Sequence, residues 1–459
     1  MNKSDLFSLI DNNESKLKEI AYEIWSNPEL AFAEHKASSL QKEYLKDLGF
    51  KIIDVPNIPT AFIAEFGSGK PVLAIMGEYD ALPGLSQKIS DVKEQLEGHV
   101  DGHGCGHNLI GTAGVGAVVA LKESMKKEDI KGTIRYYGCP AEETLAGKVL
   151  MAKEGVFKDI DACVSWHPSS LNVVWGCSFL AMNSMKFKFK GIPAHAAAAP
   201  QAGRSALDAV ELMNVGANYL REHVIEKARI HYVITKGGMA PNIVPEEAEV
   251  WYFVRAPKRV EVKEICDRLY KIAQGAVLMT ETKMEYELLA GCYDVLPNSV
   301  IGKLMHENMT KTGGPKFSDE DYKLASKLSA LSTKEEKRKI MATYFAPENI
   351  LEKALCNEVL AVNDKGKVMA GSTDVGDVSY IAPFAQITAA TWPIGTAAHT
   401  WIATASSGSG IGMNAMIFAS KTMAGTIYDM LTNNDLIESA KQEFQNSLGD
   451  YRYISPYEE

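Results

Sequence analysis

Apolar positions follow two rhythms along the chain. In residues 1–50 they recur at helical spacing, in LFSLI, LKEIAYEIW and SLQKEYLKDLGF. Farther on they form runs of strand length: VLAIMG (72–77), TIRYYG (133–138), DACVSW (161–166) and QITAATW (386–392). Helical stretches lie between them, GTAGVGAVVALKESMKK after residue 110 and ETLAGKVLMAKEGVF after residue 142. Apolar strands alternating with helices predict an α/β fold built on a mainly parallel sheet covered on both faces.

The rhythm changes over residues 182–291. MNSMKFKFKG alternates like a half-buried strand, and SALDAVELMNVGANYLREHV has the spacing of an amphipathic helix. The strands ARIHYVITKG and EAEVWYFVRA, the helix VEVKEICDRLYKIAQGAVLM and the strand ETKMEYELLA follow. The order β-α-β-β-α-β predicts a ferredoxin-like domain inserted into the α/β domain. The expected organisation is therefore one discontinuous domain over 1–181 and 292–459, interrupted by a second over 182–291. Residues 310–355 include SDEDYKLASKLSALSTKEEKRKIMATYF, which reads as a charged helical elaboration with a solvated face and no assigned chemistry.

Composition narrows the classes. Hydrophobic residues make up 46% and charged residues 23%, ordinary for a soluble globular protein. The net charge of −10 leaves no basic excess for nucleic acid. Val378 to Ser420 contains no Asp, Glu, Lys or Arg, but Pro383, Pro393, Gly395, Gly408 and Gly410 interrupt it. That pattern predicts buried strands and a tight loop rather than a membrane span. The first 25 residues hold no apolar core of a signal peptide. Seven cysteines without framework spacing point to a reducing cytoplasm.

Candidate chemistry collects at the predicted strand ends, where open α/β sheets bind ligands. Glu78, Tyr79 and Asp80 follow the first strand, and Cys139-Pro140-Ala141-Glu142-Glu143 follows the second. His167 follows the third, and His399 follows the fourth after a short loop. The stretch HVDGHGCGH (99–107) precedes a helix on the same rim. Cys105 and His107, one glycine apart, are either two ligands converging on one ion or part of a flexible loop with a buried thiol. Glu142 and Glu143 are either acidic residues favouring a helix start or a pair in which one binds metal and the other acts as a base. His99 reads as a loop residue and His103 as a neighbour behind the ligands. In the inserted domain His195, Asn242, Arg204 and Arg255 read as turn, helix-start and strand-end residues when taken alone. His195 or Asn242 could also stabilise an oxyanion, and Arg255 could hold a carboxylate.

Taken together, HGCGHN, CPAEE, VSWHP, FKGIPAHAAAAPQAGRSALDAVELMN, PNIVPEEAEVWYFVRAP and GSTDVGDVS resemble the aminoacylase/dipeptidase superfamily of binuclear metallohydrolases, in its amidohydrolase branch. The resemblance implies two divalent metal ions, Mn or Zn, held by Cys105, His107, Glu143, His167 and His399. It implies Glu142 as general base and Asp80 as the aspartate orienting a ligand. It places His195 and Asn242 in a lid that also dimerises, one subunit's histidine completing its partner's site, and it strengthens Arg255 as a substrate-binding residue. The implied reaction is hydrolysis of N-acyl or N-aroyl amino acids, p-aminobenzoyl-glutamate-like amides among them. The alternatives are a dipeptidase or N-deacylase on the same site, or a metal-binding subunit of a hetero-oligomeric hydrolase. A small-molecule substrate and a homodimer are expected, with neither nucleic acid nor membrane as partner. The chain departs from the resemblance where Asp-Met-Asp-Ala-Leu-Pro is replaced by Glu78-Tyr79-Asp80-Ala81-Leu82-Pro83, which leaves Glu78 without a role. It departs again in GTAAHTW, where Ala397 and Ala398 precede the last histidine.

Overall fold

The computed structural model describes residues 3–458, which pack as two units. One unit runs up to Cys177 and takes in Leu296–Met369 and Asp377–Tyr453. The other comprises Ser178–Val295, Ala370–Gly376 and the chain from Ile454.

The first unit is built on strands β1 (Lys51–Asp54), β2 (Phe62–Ser68), β3 (Val72–Glu78), β4 (Gly132–Cys139), β5 (Ala162–Ser169) and β6 (Val173–Trp175). The second unit contributes β7 (Ala181–Lys190), β8 (Arg229–Lys236), β9 (Glu247–Ala256) and β10 (Lys283–Cys292), after which the chain returns to the first as β11 (Phe384–Ala390). The seven-stranded sheet has the order β1-β2-β4-β3-β5-β11-β6. Its four central strands, β4, β3, β5 and β11, are parallel. β1 and β2 add antiparallel pairs at one edge and β6 adds one at the other. Every residue of β3 and β11 is buried, as both-sided helix cover requires.

Two helix starts differ from the pattern-based expectation, and both lie beside the candidate ligands. The helix expected after residue 110 begins at His107, because Gly106 adopts a left-handed conformation (φ 77°) and turns the loop directly into it. The stretch after residue 142 is not one helix. A short 3₁₀ turn, Glu142–Thr144, sits between left-handed Ala141 (φ 57°) and Leu145 (φ 56°), and the helix proper is Gly147–Lys153.

The uncharged stretch from Val378 to Ser420 becomes β11, a loop and the helices Trp401–Gly408 and Gly410–Thr432, the last of which lies in the main core. Among the described residues no helix is long and apolar enough to cross a membrane. The charged segment 310–355 forms Asp319–Ser329, Lys334–Thr343 and a 3₁₀ turn, but it is more than a solvated face. Met341, Ile350 and Leu351 pack with Leu171, Val173 and Ile394, and Ile394 donates its N–H to the Ala354 carbonyl at 2.9 Å. The segment therefore braces the loop that leads to His399.

The second unit has the order β10-β7-β9-β8, all antiparallel, with helices Ala206–Leu220 and Arg259–Thr280 packed on its buried face. This is the expected β-α-β-β-α-β arrangement. β8 is an edge strand, and Tyr232, Val233 and Ile234 on it are exposed.

Candidate metal centre

The candidate ligands arrive from the carboxyl ends of the four parallel strands and from the glycine-rich loop before helix His107–Glu128. Three groups bring ligand atoms within 4.8 Å of one another: Cys105–His107–His167, Cys105–Glu143–His399 and Glu78–His107–Glu142. Cys105 Sγ lies 3.4 Å from His167 Nε2. His107 Nε2 lies 3.8 Å from Glu143 Oε1 and 3.9 Å from Glu142 Oε2, and His399 Nε2 lies 3.3 Å from Glu143 Oε2. Tetrahedral donors at ~2.1–2.3 Å from a shared ion stand roughly 3.4–3.7 Å apart, so these separations suit coordination. His107 Nε2 and Glu143 Oε1 are both buried and find no hydrogen-bond partner among the described residues. Two orphaned buried ligand atoms facing each other are what a cation between them would satisfy.

The surrounding hydrogen bonds fix which nitrogen is free. Asp80 Oδ1 accepts from His107 Nδ1 at 2.9 Å, which leaves Nε2 directed at the cluster. Asp80 Oδ2 accepts the Glu143 N–H at 2.9 Å, so one carboxylate orients two candidate ligands, one at the start of the helix after the glycine-rich loop and one after β4. His167 Nδ1 is 2.8 Å from the Pro168 carbonyl oxygen, which leaves Nε2 facing Cys105. His399 is held in a left-handed conformation (φ 60°), its backbone N–H donating to Gly104 O at 3.0 Å. Its ring is 53% exposed, in contrast to the fully buried His107.

The electrostatics are those of a cluster arranged for cations. Burial alone would push the His107 ring toward neutrality, but Cys105 and Asp80 overcome it and hold its affinity for a proton well above the usual range. Burial pushes the Glu143 carboxyl up to about 7, with Asp80 adding to it and His107 opposing. Burial lowers His167 to about 4 and raises the Cys105 thiol. Asp80 stays below the usual carboxylate range because His107 outweighs its burial. A divalent cation would draw the thiol and carboxylates into their anionic forms and release protons.

Four further side chains bear on the site: Glu78, a strand-end candidate that the sequence leaves without a role, and Lys148, Trp175 and Tyr344, which the sequence pattern does not mark. Glu78 places Oε2 3.6 Å from His107 Nε2, and its Oε1 pairs at 2.6 Å with the fully buried Lys148 on helix Gly147–Lys153. Trp175 lies against His167 with ring centres 5.4 Å apart. Tyr344, from the charged helical segment, has its hydroxyl raised to about 12 by burial and by the Cys105 thiol, which places it within electrostatic reach of the loop. In sequence Glu78 reads as a strand-end carboxylate without a role and Lys148 as an ordinary helix charge, and their shared burial is what pairs them. His103 is buried against the Ile24 carbonyl and lowered to about 3 by burial, and His99 joins none of the ligand groups.

His195, Asn242 and Arg255 belong to the second unit. His195 and Asn242 lie together there, the Ala196 N–H donating to the Asn242 carbonyl at 3.0 Å and His195 bridging to Ile243. His195 Nδ1 accepts from Ala197 and Ala198 N–H groups, which fixes the exposed ring. Arg255 stands at the opposite end of β9, opposite Met182 and Arg229, with its guanidinium over Phe253. Arg204 makes an exposed ion pair with Glu281 at 2.7 Å.

Comparison with known proteins agrees with this geometry. Residues 181–278 match the model of the M20 peptidase dimerisation domain. The chain is 40% identical to one of the subunits of p-aminobenzoyl-glutamate hydrolase from Escherichia coli (strain K12), covering 97% of this chain and 95% of that protein. It is 28% identical to the mouse Xaa-Arg dipeptidase over 97% of this chain and 93% of that one. A Bacillus subtilis dinuclear metal-binding peptidase of the M20 family superposes with a TM-score of 0.58 at 17% identity, covering 92% and 99% of the two chains. With strand-end ligands, an inserted dimerisation domain and a full-length relative in agreement, the chain belongs to the M20 family of metal-dependent peptidases and amidohydrolases.

Proposed function

We propose that this chain hydrolyses the amide bond of N-acyl or N-aroyl amino acids, p-aminobenzoyl-glutamate among them, with Glu142 as general base. The observation that carries the reading is the adjacent pair Glu142–Glu143 at the end of β4, both within 4 Å of the orphaned His107 Nε2. Two divalent ions, Mn or Zn, would be held by Cys105, His107, Glu143, His167 and His399, and when bound they supply the positive charge that polarises a carbonyl and acidifies water. Glu142 removes the proton from the attacking water at its carboxylate and delivers it to the leaving amine nitrogen. Asp80 keeps His107 in the tautomer that exposes Nε2. His195 and Asn242 donate hydrogen bonds to the carbonyl oxygen as it gains charge, each worth on the order of 3 kcal/mol. Arg255 is not retained for the substrate carboxylate, since it stands at the far end of β9 from His195 and Asn242.

The active form is a homodimer joined through the second unit, supported by the dimerisation-domain match and the exposed edge strand β8. The E. coli relative is named as one component of its hydrolase, which makes pairing with a second kind of chain the alternative. Seven buried cysteines, none of them in a disulfide among the described residues, support a cytoplasmic setting. The test is turnover of p-aminobenzoyl-glutamate, hippurate and a dipeptide panel by the isolated chain loaded with Mn²⁺ or Zn²⁺. Glu142→Gln is expected to lower kcat by roughly 10²–10⁴-fold at unchanged metal content. Turnover within a few fold of wild type would overturn the base assignment, and preference for dipeptides would favour the peptidase reading.

A further inference from the structure

The turn 27–34, NPELAFAE, joins helix Glu14–Trp25 to helix His35–Asp47 and carries two glutamates with no place in the chemistry above. Glu29 serves both the helix and the site. Its carboxylate accepts the Lys36 and Ala37 N–H groups at 2.9 Å each, capping the helix start, and its carbonyl accepts the Ala81 N–H at 2.8 Å, next to Asp80. Glu34 is fully buried and leaves its own helix uncapped by its side chain. Its Oε1 instead accepts two N–H groups, from Phe32 at 2.9 Å and from Ala141 at 2.8 Å. Ala141 is the left-handed, fully buried residue immediately before Glu142. Glu34 Oε2 finds no partner among the described residues. A charge-bearing side chain is thus committed, wholly buried, to one backbone N–H of the turn that aims the Glu142–Glu143 pair.

We propose that Glu34 is a positioning residue for the hydrolysis: through its bond to the Ala141 N–H it holds the Cys139–Glu143 turn in the conformation that aims Glu142. The inference rests on the reading of Glu142 as the base. Without that acceptor a buried N–H is left unpaired and a non-glycine residue loses the contact that keeps it left-handed, so the turn relaxes. A displacement of about 1 Å in a reacting group is enough to cost roughly 10²-fold in rate.

The requirement is for an acceptor of the right length rather than for charge. Glu34→Gln keeps Oε1 in place, and since burial and Asp80 raise this carboxyl to about 7, its neutral form already resembles the amide. On the metal-loaded full chain, Glu34→Gln should keep kcat within about fivefold of wild type. Glu34→Met, of similar volume but without an acceptor, should lower kcat by about 10²-fold with KM within about threefold and metal content unchanged. Glu34→Asp, one methylene too short to reach, should fall with it, and it serves where the Met variant fails to fold. In a Glu142→Gln background Glu34→Met should add less than a threefold loss. The proposal is overturned if Glu34→Asp or a folded Glu34→Met keeps wild-type kcat, if Glu34→Gln is as impaired as they are, or if the loss is undiminished in the Glu142→Gln background. Wild-type turnover by Glu142→Gln alone would instead overturn the base reading, and the contrast of Gln with Asp and Met at position 34 would still decide the role of Glu34.

Discussion

At the scale of single residues, the site is a set of ligand atoms whose orientation is decided by their neighbours. Asp80 receives His107 Nδ1 and the Glu143 N–H at 2.9 Å each, and its own charge is kept by His107. Asp80→Asn is therefore expected to weaken metal binding by about 10–100-fold, the usual loss for an orienting partner, measured by competition with a chelator. Cys105→Ala removes a candidate ligand and should weaken it by at least that much, while His99→Ala should leave it unchanged. Glu34 gives a pH signature in the metal-free protein. Its carboxyl rises from 4.5 to about 7 on folding, through burial first and Asp80 second. The native state then holds a proton that the unfolded chain releases between these values, so this contribution to stability is complete below pH 4.5 and is lost as pH rises through 7. Metal-free Glu34→Gln should accordingly gain on wild type between about pH 5 and pH 8, by about 3 kcal/mol at most, read as a growing difference in Tm. Cys105 and His107 are legible in the sequence because glycines isolate them, but their partners are less so. Glu78 is legible as a strand-end carboxylate without a role and Lys148 only as an ordinary helix charge, and their pairing becomes visible because both are buried against each other at 2.6 Å.

At the scale of elements, the strand ends do the positioning, and the pattern of apolar runs locates them to within three residues, the widest miss being the strand that carries His167, which ends at Ser169 rather than at residue 166. The antiparallel strands β1 and β2 escape it, since β1 is half-exposed and Glu65 and glycine interrupt β2. The turns between strand and helix escape it for a different reason. Their backbone angles are set by glycines and by contacts across the chain, to which hydrophobic spacing is blind. Gly147 shows how tight this packing is, because a Cβ there would stand 1.7 Å from the Pro140 carbonyl oxygen, backbone against backbone. Gly147→Ala should force the Cys139–Glu143 turn to move. The expected outcome is a stability loss of about 1–3 kcal/mol by urea unfolding, with kcat reduced at least tenfold, since the displaced turn carries Glu142 and Glu143.

At the scale of the whole molecule, the two units divide the work. The first gathers every candidate metal ligand, and the second carries the match to a dimerisation domain and leaves an edge strand unpaired. Val233 on that edge is 53% exposed, an unusual position for a branched apolar side chain on an unprotected strand. If the proposed homodimer joins through this edge, Val233→Glu is expected to leave a monomer in sedimentation or light scattering. If a partner's His195 completes the site, hydrolysis should fall with the dimer fraction and recover at high protein concentration. An unchanged mass would exclude this edge as the interface.

The sequence by itself determined the α/β fold, the inserted β-α-β-β-α-β unit, and the rim on which Cys, His, Asp and Glu collect. Those features follow from local periodicity and from side-chain chemistry, which are written residue by residue. The tertiary structure alone decided which atoms of those residues are free. Asp80 and Glu143 are 63 positions apart, and Glu34 and Ala141 are 107. The His107 tautomer, the Glu78–Lys148 pair and the left-handed Ala141 held by Glu34 each depend on groups brought together by burial. No local pattern encodes such contacts, because the free energy that enforces them is the cost of leaving a buried polar group unpaired.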